Sequence, residues 1–456
     1  MGDLPASYRA TDQVLESAQR CVTRLSSALS HSQRQRIAGL VLAATTLEAG
    51  LTRAAEPAAN QAEDRFESAV IPALAGDTDV GLKFGGVGQL ARFEDGLRPY
   101  AWRAQALILL SVLDEPTGFA YPYREVFAWF DEPHLGWSWL RLVLAASYFR
   151  TTNLGYYGIG NDLEVARPWE AFDEKSEGYA LARHFYQYDG TSVFAQGAAL
   201  FTLAPNWVAY AGVKLDHSDV DPYDGTLLDQ HRAAGPVRGE ELHGVGVSTR
   251  LIQSWGIVFD TRDHETVTTE GLWHELGFRG SPAFFDAEPY MGMTLVLRGY
   301  ASLMGEQLSV GSRAVLDAVS RRAPLSELGR FGSLESRPGP AGAQGIRGVP
   351  QGRLHGRTKF IGNVEARSLV LPFSLLGEHA VLGAAAFFDF GRVWSGTFES
   401  DVSLDGDGLG LHWGSGVGPR LRYGDTLLLR CDVAYAPLGA ELGSAPAVYV
   451  DIVHVL

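Results

Sequence analysis

Long segments of alternating apolar and polar residues constrain this chain more than any other feature of its sequence. In 245–262 (VGVSTRLIQSWGIVFDTR) most odd positions are apolar or aromatic, such as Trp255 and Phe259, and the even positions include Arg250 and Asp260. Successive side chains of a β-strand point to opposite faces, so a period of two predicts a strand with one apolar face and one polar face.

The segment 353–367 shows the same alternation more sharply. Arg357 and Glu365 share one face of the expected strand, whereas Phe360 and Val364 share the other. A water-soluble sandwich would bury the apolar face, and a membrane barrel would turn it to lipid. The pattern alone leaves both architectures open.

The length and number of these segments favour the barrel. Many are ten to eighteen residues long, whereas globular strands have ~5–6 residues and a tilted bilayer crossing needs ~9–11. We mark about sixteen segments: 79–93, 98–114, 118–131, 137–150, 178–188, 191–203, 206–217, 244–261, 264–280, 288–303, 306–320, 354–373, 378–394, 411–423, 425–436 and 446–456. The sequence therefore predicts an all-β fold, a transmembrane antiparallel β-barrel of about 16 strands.

The connections between these segments alternate in length. Tight turns such as EDG and YGDT contrast with long connections at 218–243, 321–353 and 395–410. Outer-membrane barrels have short periplasmic turns and long external loops, so the connection that contains Arg347 is expected to be the sixth external loop. The long connection 151–177 falls on the periplasmic side by this count, so either that turn is unusual or one strand near it is miscounted.

Composition excludes several classes of protein. The net charge of −15 argues against a nucleic-acid partner, because phosphate binding needs a basic face. The two cysteines, Cys21 and Cys431, lie at opposite ends of the chain, and no Cys/His spacing indicates a metal site. No apolar run reaches the 18 residues of a membrane-spanning helix.

The N-terminal region differs from the rest of the chain. Residues 1–36 have helical spacing in part and are expected to form a short extension, and 37–59 resembles the apolar and cleavage regions of a secretory signal. Either translation starts closer to this signal, so that the first residues are an annotation error, or the region is an ordinary amphipathic helix. A short periplasmic segment at 60–76 would then precede a barrel domain at 77–456.

Motifs of enzymes and cofactor sites are incomplete. HELGF (274–278) lacks the second His of a zinc protease, and GWSWL (136–140) lacks the second Gly of a nucleophile elbow. The Gly-rich stretch GSGVG (414–418) has no strand-to-helix context for a nucleotide. The sequence predicts no enzyme activity, no cofactor and no metal.

Five motifs in order resemble the bacterial surface antigen family, the barrels of BamA/TamA-type outer-membrane assembly and translocation proteins. They are GIVFDTRDHETVTTEGLWHELGF (256–278, with Asp260, Arg262, Asp263 and Gly271), IRGV (346–349), IGNVEAR (361–367), AAFFDFGRVW (385–394, with Gly391) and GSGVGPRLRYGDTLLLRCDVAYAP (414–437). The resemblance covers roughly residues 77–456.

The resemblance implies a role for the long loop. In the family, the sixth external loop folds into the lumen, where the Arg of its motif contacts acidic residues on the twelfth and thirteenth strands. Carried over, Arg347 would contact Glu365 and Asp389, with Gly348 giving the unusual backbone conformation of the loop tip. The alternation also places Glu365 and Asp389 on the polar face, and a guanidinium can bind carboxylates bidentately.

The resemblance also implies location and function. It implies a protein of the bacterial outer membrane that contacts membrane lipids and acts in the assembly or translocation of outer-membrane or secreted polypeptides or lipids. Family members usually carry periplasmic POTRA domains, and no such domain fits before the expected first strand. This favours an alternative, a passive pore or structural barrel, and a soluble β-rich binding protein is the third possibility.

Overall fold

The computed structural model describes residues 64–451, apart from short gaps. The gaps are 78–79, 96, 98–99, 116–117, 174–175, 236–241, 265–267, 286, 305–306, 333, 335, 376–377 and 424–426. The predicted extension at 1–36 and the predicted signal region at 37–59 lie outside the described residues.

Sixteen strands form one closed antiparallel barrel, which confirms the predicted fold class. In chain order, β1 to β16 are Arg65–Asp77, Gly81–Phe93, Trp102–Glu115, Tyr123–Glu132, Leu140–Gly155, Gln187–Ala204, Trp207–Pro222, Gly246–Asp260, Gly271–Ser281, Tyr290–Ser302, Ser309–Val319, Thr358–Leu375, Glu378–Trp394, His412–Tyr423, Leu427–Tyr435 and Ala447–Asp451. Each strand pairs with the next along the chain, and β16 returns to β1.

Two of the predicted segments differ from the structure. Arg65–Asp77 is the first barrel strand and pairs along its whole length with β2, so the barrel begins before the expected boundary at residue 77. Pro72 weakens the strand pattern there, because Pro has no backbone N–H to donate to a ladder. The predicted strand at 178–188 is wrong, because Glu177–Arg183 is α-helical and His184–Tyr186 is a 3-10 helix.

These two differences explain the connection that disagreed with the strand count. The connections at one end of the barrel are L1 (78–80), L2 (116–122), L3 (156–186), L4 (223–245), L5 (282–289), L6 (320–357), L7 (395–411) and L8 (436–446). The long connection after β5 is thus L3, at the same end as the other long loops, and a strand was miscounted near it. The longest connection at the opposite end is ten residues, 261–270.

Short helices occur only in loops within the described part of the chain. They are α1 (Glu177–Arg183) in L3, α2 (Leu227–Ala234) in L4, α3 (Leu325–Leu328) in L6, α4 (Val402–Asp405) in L7 and α5 (Pro437–Glu441) in L8, besides the 3-10 helices Pro168–Ala171 and His184–Tyr186. A three-residue strand, Gly118–Ala120, pairs with the end of β3. Among residues 64–451, no helix is both long enough and apolar enough to cross a bilayer.

The two faces of the wall have opposite chemistry. On β7, Val213 and Leu215 are exposed on the outside, whereas Lys214 and Asp216 point inward and form an ion pair. Exposed apolar side chains recur on the outer face of strands around the barrel, as at Val126 and Val364. An exposed apolar band outside and a polar interior are the arrangement of a barrel that lies in lipid.

We expect Val213→Arg, near the middle of β7, to lower the free energy of unfolding in lipid vesicles by about 2–4 kcal/mol, the cost of a cation at the bilayer midplane. Leu409→Arg is the control, because Leu409 is 79% exposed in L7. Denaturant titration of both variants measures the difference. Equal stability of the two variants would contradict the lipid-facing assignment of β7.

Candidate functional site

L6 turns back and packs inside the barrel. Its residues Ile346, Val349 and Leu354 are fully buried, and they form one apolar cluster with inward-facing residues of the wall such as Val315 and Ile361. Before the turn that contains Arg347, Arg330–Phe331 pairs with Arg337–Pro338 as a short antiparallel β-ladder. Burial of these apolar side chains favours the inward position of the loop.

The side chain of Arg347 ends among three carboxylates of the wall. Its Nε and Nη2 donate to the two oxygens of Asp389 at 2.7 and 2.9 Å, and Nη1 donates to Glu365 at 2.9 Å and to Asp432 at 3.0 Å. The backbone N–H of Arg347 also donates to Asp389 at 3.1 Å. Bidentate pairing of this kind fixes the position of a guanidinium as well as its charge.

Two further contacts hold the same turn of the loop. The guanidinium carbon of Arg347 lies 3.3 Å from the ring centre of Phe387, a cation–π contact. The backbone N–H of Gly348 donates to the hydroxyl of Tyr449 on β16 at 3.0 Å. The tip therefore contacts β12 through Glu365, β13 through Asp389 and also the last strand of the barrel. We call Arg347, Gly348, Glu365, Asp389, Asp432 and Tyr449 the clasp.

Glycine is required at Gly348 of the clasp and at Gly414 beside it. Gly348 has φ +92°, and a Cβ there would lie 2.8 Å from the backbone nitrogen of Ala436. A Cβ on Gly414 would lie 2.0 Å from the carbonyl oxygen of Arg347. L-amino acids with a side chain rarely adopt such a φ, and neither position has space for a methyl group.

Other arginines surround the carboxylates of the clasp. Arg367 donates to Glu365 at 3.0 Å, and Arg420 donates to Asp432 at 2.6 Å. All of these groups are nearly inaccessible to solvent. A buried charge is tolerated only when it is paired, so removal of one member leaves an uncompensated charge.

A second ionic cluster holds the base of L6. Glu327 of α3 accepts from Arg279 of β9 at 2.7 Å, and Arg279 also pairs with Asp317 at 2.9 Å. Lys359 at the start of β12 contacts Asp317 at 2.7 Å and donates to the backbone carbonyl of Glu327 at 2.6 Å. L6 is therefore attached to the wall at its base and at its tip.

The structure brings together the predicted residues Arg347, Gly348, Glu365 and Asp389. The sequence analysis missed Asp432 and Tyr449. The alternation of Asp432 with its apolar neighbours in CDVAY was an available signal, because it places the carboxylate on the inner face. Nothing near Glu327 in the sequence marked the second cluster.

The other predicted motif residues lie elsewhere. Asp260 accepts from Nη2 of Arg262 at 2.7 Å in the turn 261–270, at the opposite end of the barrel. Asp263 accepts from the Thr269 hydroxyl at 2.6 Å. Partial burial opposes ionisation of Asp263, but hydrogen bonds from Thr269 and from backbone amides outweigh it and lower the pKa to about 2. Gly271 begins β9 with φ +110°.

Gly391 has a separate structural role on β13. A Cβ there would lie 2.3 Å from the carbonyl oxygen of Phe360 on the neighbouring strand β12. The residue thus permits close approach of the two strands that carry Glu365 and Asp389. Across the described residues, no group of three or more His, Cys, Asp or Glu could hold a metal ion.

A closed barrel of sixteen strands in which the sixth connection at one end, L6, is held inside defines a class of outer-membrane protein. A model of the Omp85 superfamily domain matches residues 128–443, more than two thirds of the chain. The chain belongs to the Omp85 superfamily, its barrel is of the BamA/TamA type, and it is a protein of the bacterial outer membrane.

Solved structures show the same fold. BamA from Haemophilus ducreyi, in a form lacking POTRA domains 1–3, has a TM-score of 0.53 and 12% identity, over 85% of this chain and 70% of that one. CdiB from Escherichia coli has a TM-score of 0.52 and 12% identity, over 84% of this chain and 61% of that one. Comparison with curated proteins found no significant match.

Replacement of Arg347 tests the clasp. We expect Arg347→Ala to lower the free energy of unfolding by about 3–5 kcal/mol, because it leaves buried carboxylates without their partner. Arg347→Lys keeps the charge but loses bidentate pairing, so its loss should be smaller. Denaturant titration in lipid vesicles is the measurement, with the exposed Arg232→Ala in L4 as control. If Arg347→Ala is no less stable than the control, the clasp does not hold L6.

Proposed function

We propose that this barrel inserts or translocates other polypeptides, or lipids, at the outer membrane. In this proposal β1 and β16 part to admit the client, and L6 braces the barrel interior while they do so. Outer-membrane lipids and unfolded outer-membrane or secreted polypeptides are the expected partners. The observation that carries the proposal is that Tyr449 of β16 pairs with β1 across the seam and also accepts a hydrogen bond from L6.

The seam between β1 and β16 closes the barrel. Within the described residues, only two residue pairs join these strands, Gly76 with Val450 and Asp77 with Tyr449. On its other side β1 pairs with β2 through all thirteen of its residues. A backbone hydrogen bond contributes about 0.5–1.5 kcal/mol net, so in this proposal the client replaces the hydrogen bonds that the parting strands lose.

Once the seam parts, the edge of β1 that faces β16 suits an extended polypeptide. Unpaired backbone groups are costly in lipid, and a strand edge is a template for another strand. An unfolded client that adds a strand to this edge would satisfy both sets of backbone groups.

The clasp lies in a position to respond to the seam. Tyr449 pairs with Asp77 across the seam and also accepts the hydrogen bond from the backbone of Gly348. The same turn of L6 binds Glu365 and Asp389, four and three strands away along the wall. L6 therefore connects the closing strand with the wall beyond it, which is the bracing role that we propose.

A passive pore is the alternative function. The packing of L6 inside the barrel argues against it, because buried side chains of the loop fill the interior around Arg347 and Leu354. The two functions differ in their consequences for the cell. Depletion of an assembly factor should leave specific outer-membrane proteins or lipids missing, and depletion of a passive pore should not.

A disulfide across the seam tests the proposal. Asp77→Cys with Tyr449→Cys, in a background with Cys21→Ser and Cys431→Ser, locks the two strands; the background is needed because Cys431 pairs with the neighbouring Val450. We expect the oxidised variant to cause the same losses of outer-membrane components as depletion, and a reductant to restore them. Quantitative inventories of outer-membrane proteins and lipids are the measurement.

Two controls accompany this experiment. Tyr449→Cys alone reports the loss of the hydroxyl, and Ala301→Cys with Val310→Cys places a disulfide between β10 and β11, which are paired far from the seam. The Ala301→Cys, Val310→Cys variant should cause no losses, and any losses caused by Tyr449→Cys alone should not respond to the reductant. A normal inventory in cells whose seam is fully oxidised would refute the opening of β1 and β16.

A further inference from the structure

A cavity of about 600 Å³ opens between three long loops at the end of the barrel that carries L1 to L8. Its walls come from L3, from α2 and Leu242 of L4, and from α4 of L7. Volumes of 300–1,000 Å³ are typical of sites that bind small organic molecules. The cavity is separate from the clasp and from the seam, since it is lined by none of their residues.

The inner part of the cavity is apolar and aromatic. Tyr156 and Leu404 are buried there, and Leu227 and Leu242 are half-buried beside them. The Tyr156 hydroxyl lies 3.0 Å from Nδ1 of His231. Burial lowers the pKa of His231, which keeps its imidazole neutral near neutral pH. The inner part therefore offers apolar surface and no cation.

The outer part of the cavity carries negative charge. Asp162 and Glu164 line it and are exposed. Among the described residues, none donates a hydrogen bond to either carboxylate. L3, L4 and L7 together contain fourteen Asp and Glu against five Lys and Arg. A mouth with this excess of negative charge attracts cations and raises their local concentration.

L6 holds the inner side of the cavity in place. Nη2 of Arg353 donates to the carbonyl oxygen of Leu163 at 2.8 Å, and the backbone of Gly160 pairs with that of His355. Arg353 and His355 are both buried. The cavity is thus formed before a ligand arrives, which reduces the entropy lost on binding.

We propose that this cavity binds a small organic cation, an ammonium ion that carries an aromatic or branched aliphatic group. The apolar group lies against Tyr156, Leu227 and Leu404. The ammonium group lies between the carboxylates of Asp162 and Glu164. A carboxylate in place of the ammonium group would be repelled by both side chains, so the site discriminates by charge.

Three probes of nearly the same shape test this proposal on the full-length protein in lipid nanodiscs. They are phenethylammonium, phenethyl alcohol and 3-phenylpropionate, each titrated by isothermal calorimetry. We expect saturable binding of phenethylammonium at one site, with affinity about tenfold or more above that of 3-phenylpropionate, since each exposed carboxylate contributes a modest charge interaction. The affinity for phenethyl alcohol should lie between those for the other two probes.

Variants locate the binding. Asp162→Asn with Glu164→Gln should abolish the preference for the ammonium probe. Glu170→Gln with Asp407→Asn removes the same charge from exposed positions of L3 and L7 outside the cavity and should leave the preference intact. Leu227→Gln should weaken the binding of all three probes.

Three results would overturn the proposal. One is the absence of saturable binding of phenethylammonium. The second is equal affinity for the three probes, which would indicate partition into lipid. The third is an unchanged preference in the Asp162→Asn, Glu164→Gln variant, which would place the binding elsewhere. The folding control for every variant is gel migration. Each variant should be intact and free of oligomers, and it should show the same change in migration on heating as the wild type.

Discussion

The ion pairs between Arg347 and the carboxylates of Asp389, Glu365 and Asp432 are the interaction on which the interior of this barrel depends. All four side chains are buried. A buried carboxylate without a cation is strongly unfavourable, and so is a buried guanidinium without an anion. The inward position of L6 and the acidic inner wall therefore require each other. The apolar cluster around Ile346 further stabilises the inward position of L6, but the charges specify which turn of the loop contacts the acidic wall.

The opposite faces of the strands explain why such a cluster can exist in a membrane. Lipid contacts the outer side chains, so charged side chains at the depth of the hydrocarbon core are favoured on the inner face, where they meet either water or L6. The clasp and the cluster around Glu327 neutralise much of that inner charge through the loop. At the seam, Tyr449 of β16 pairs with Asp77 of β1 and accepts a hydrogen bond from the backbone of Gly348. The loop that is held by the inner wall therefore also contacts the strand that closes the barrel.

Much of the fold could be predicted from the sequence because a period of two survives wherever one face meets lipid and the other does not. The pattern failed where this contrast was weak. In β1, Pro72 and several small residues blur it, and in 178–188 a run of Tyr, Phe and His imitates alternation although the backbone is helical. One strand was missed and one was added, so the total of sixteen was correct while L3 was placed at the wrong end.

The clasp was partly predictable for the same reason. The alternation of polar and apolar residues placed Glu365 and Asp389 on the inner face. The resemblance of IRGV to the loop motif of the family identified Arg347. Asp432 and Tyr449 lie 85 and 101 residues from their partners in the loop, and only the closure of the barrel brings them near. The cavity between L3, L4 and L7 was not predictable, since irregular loops have no period from which their packing can be inferred.

The most direct test of the account is a double-mutant cycle between Arg347 and Asp389. The free energies of unfolding of the wild type, Arg347→Ala, Asp389→Ala and the double variant are measured in the same lipid vesicles. The account predicts a coupling energy of about 2 kcal/mol or more, because the second removal relieves the charge that the first leaves unpaired. Additive losses, with a coupling energy near zero, would show that Arg347 and Asp389 do not hold L6 in the barrel.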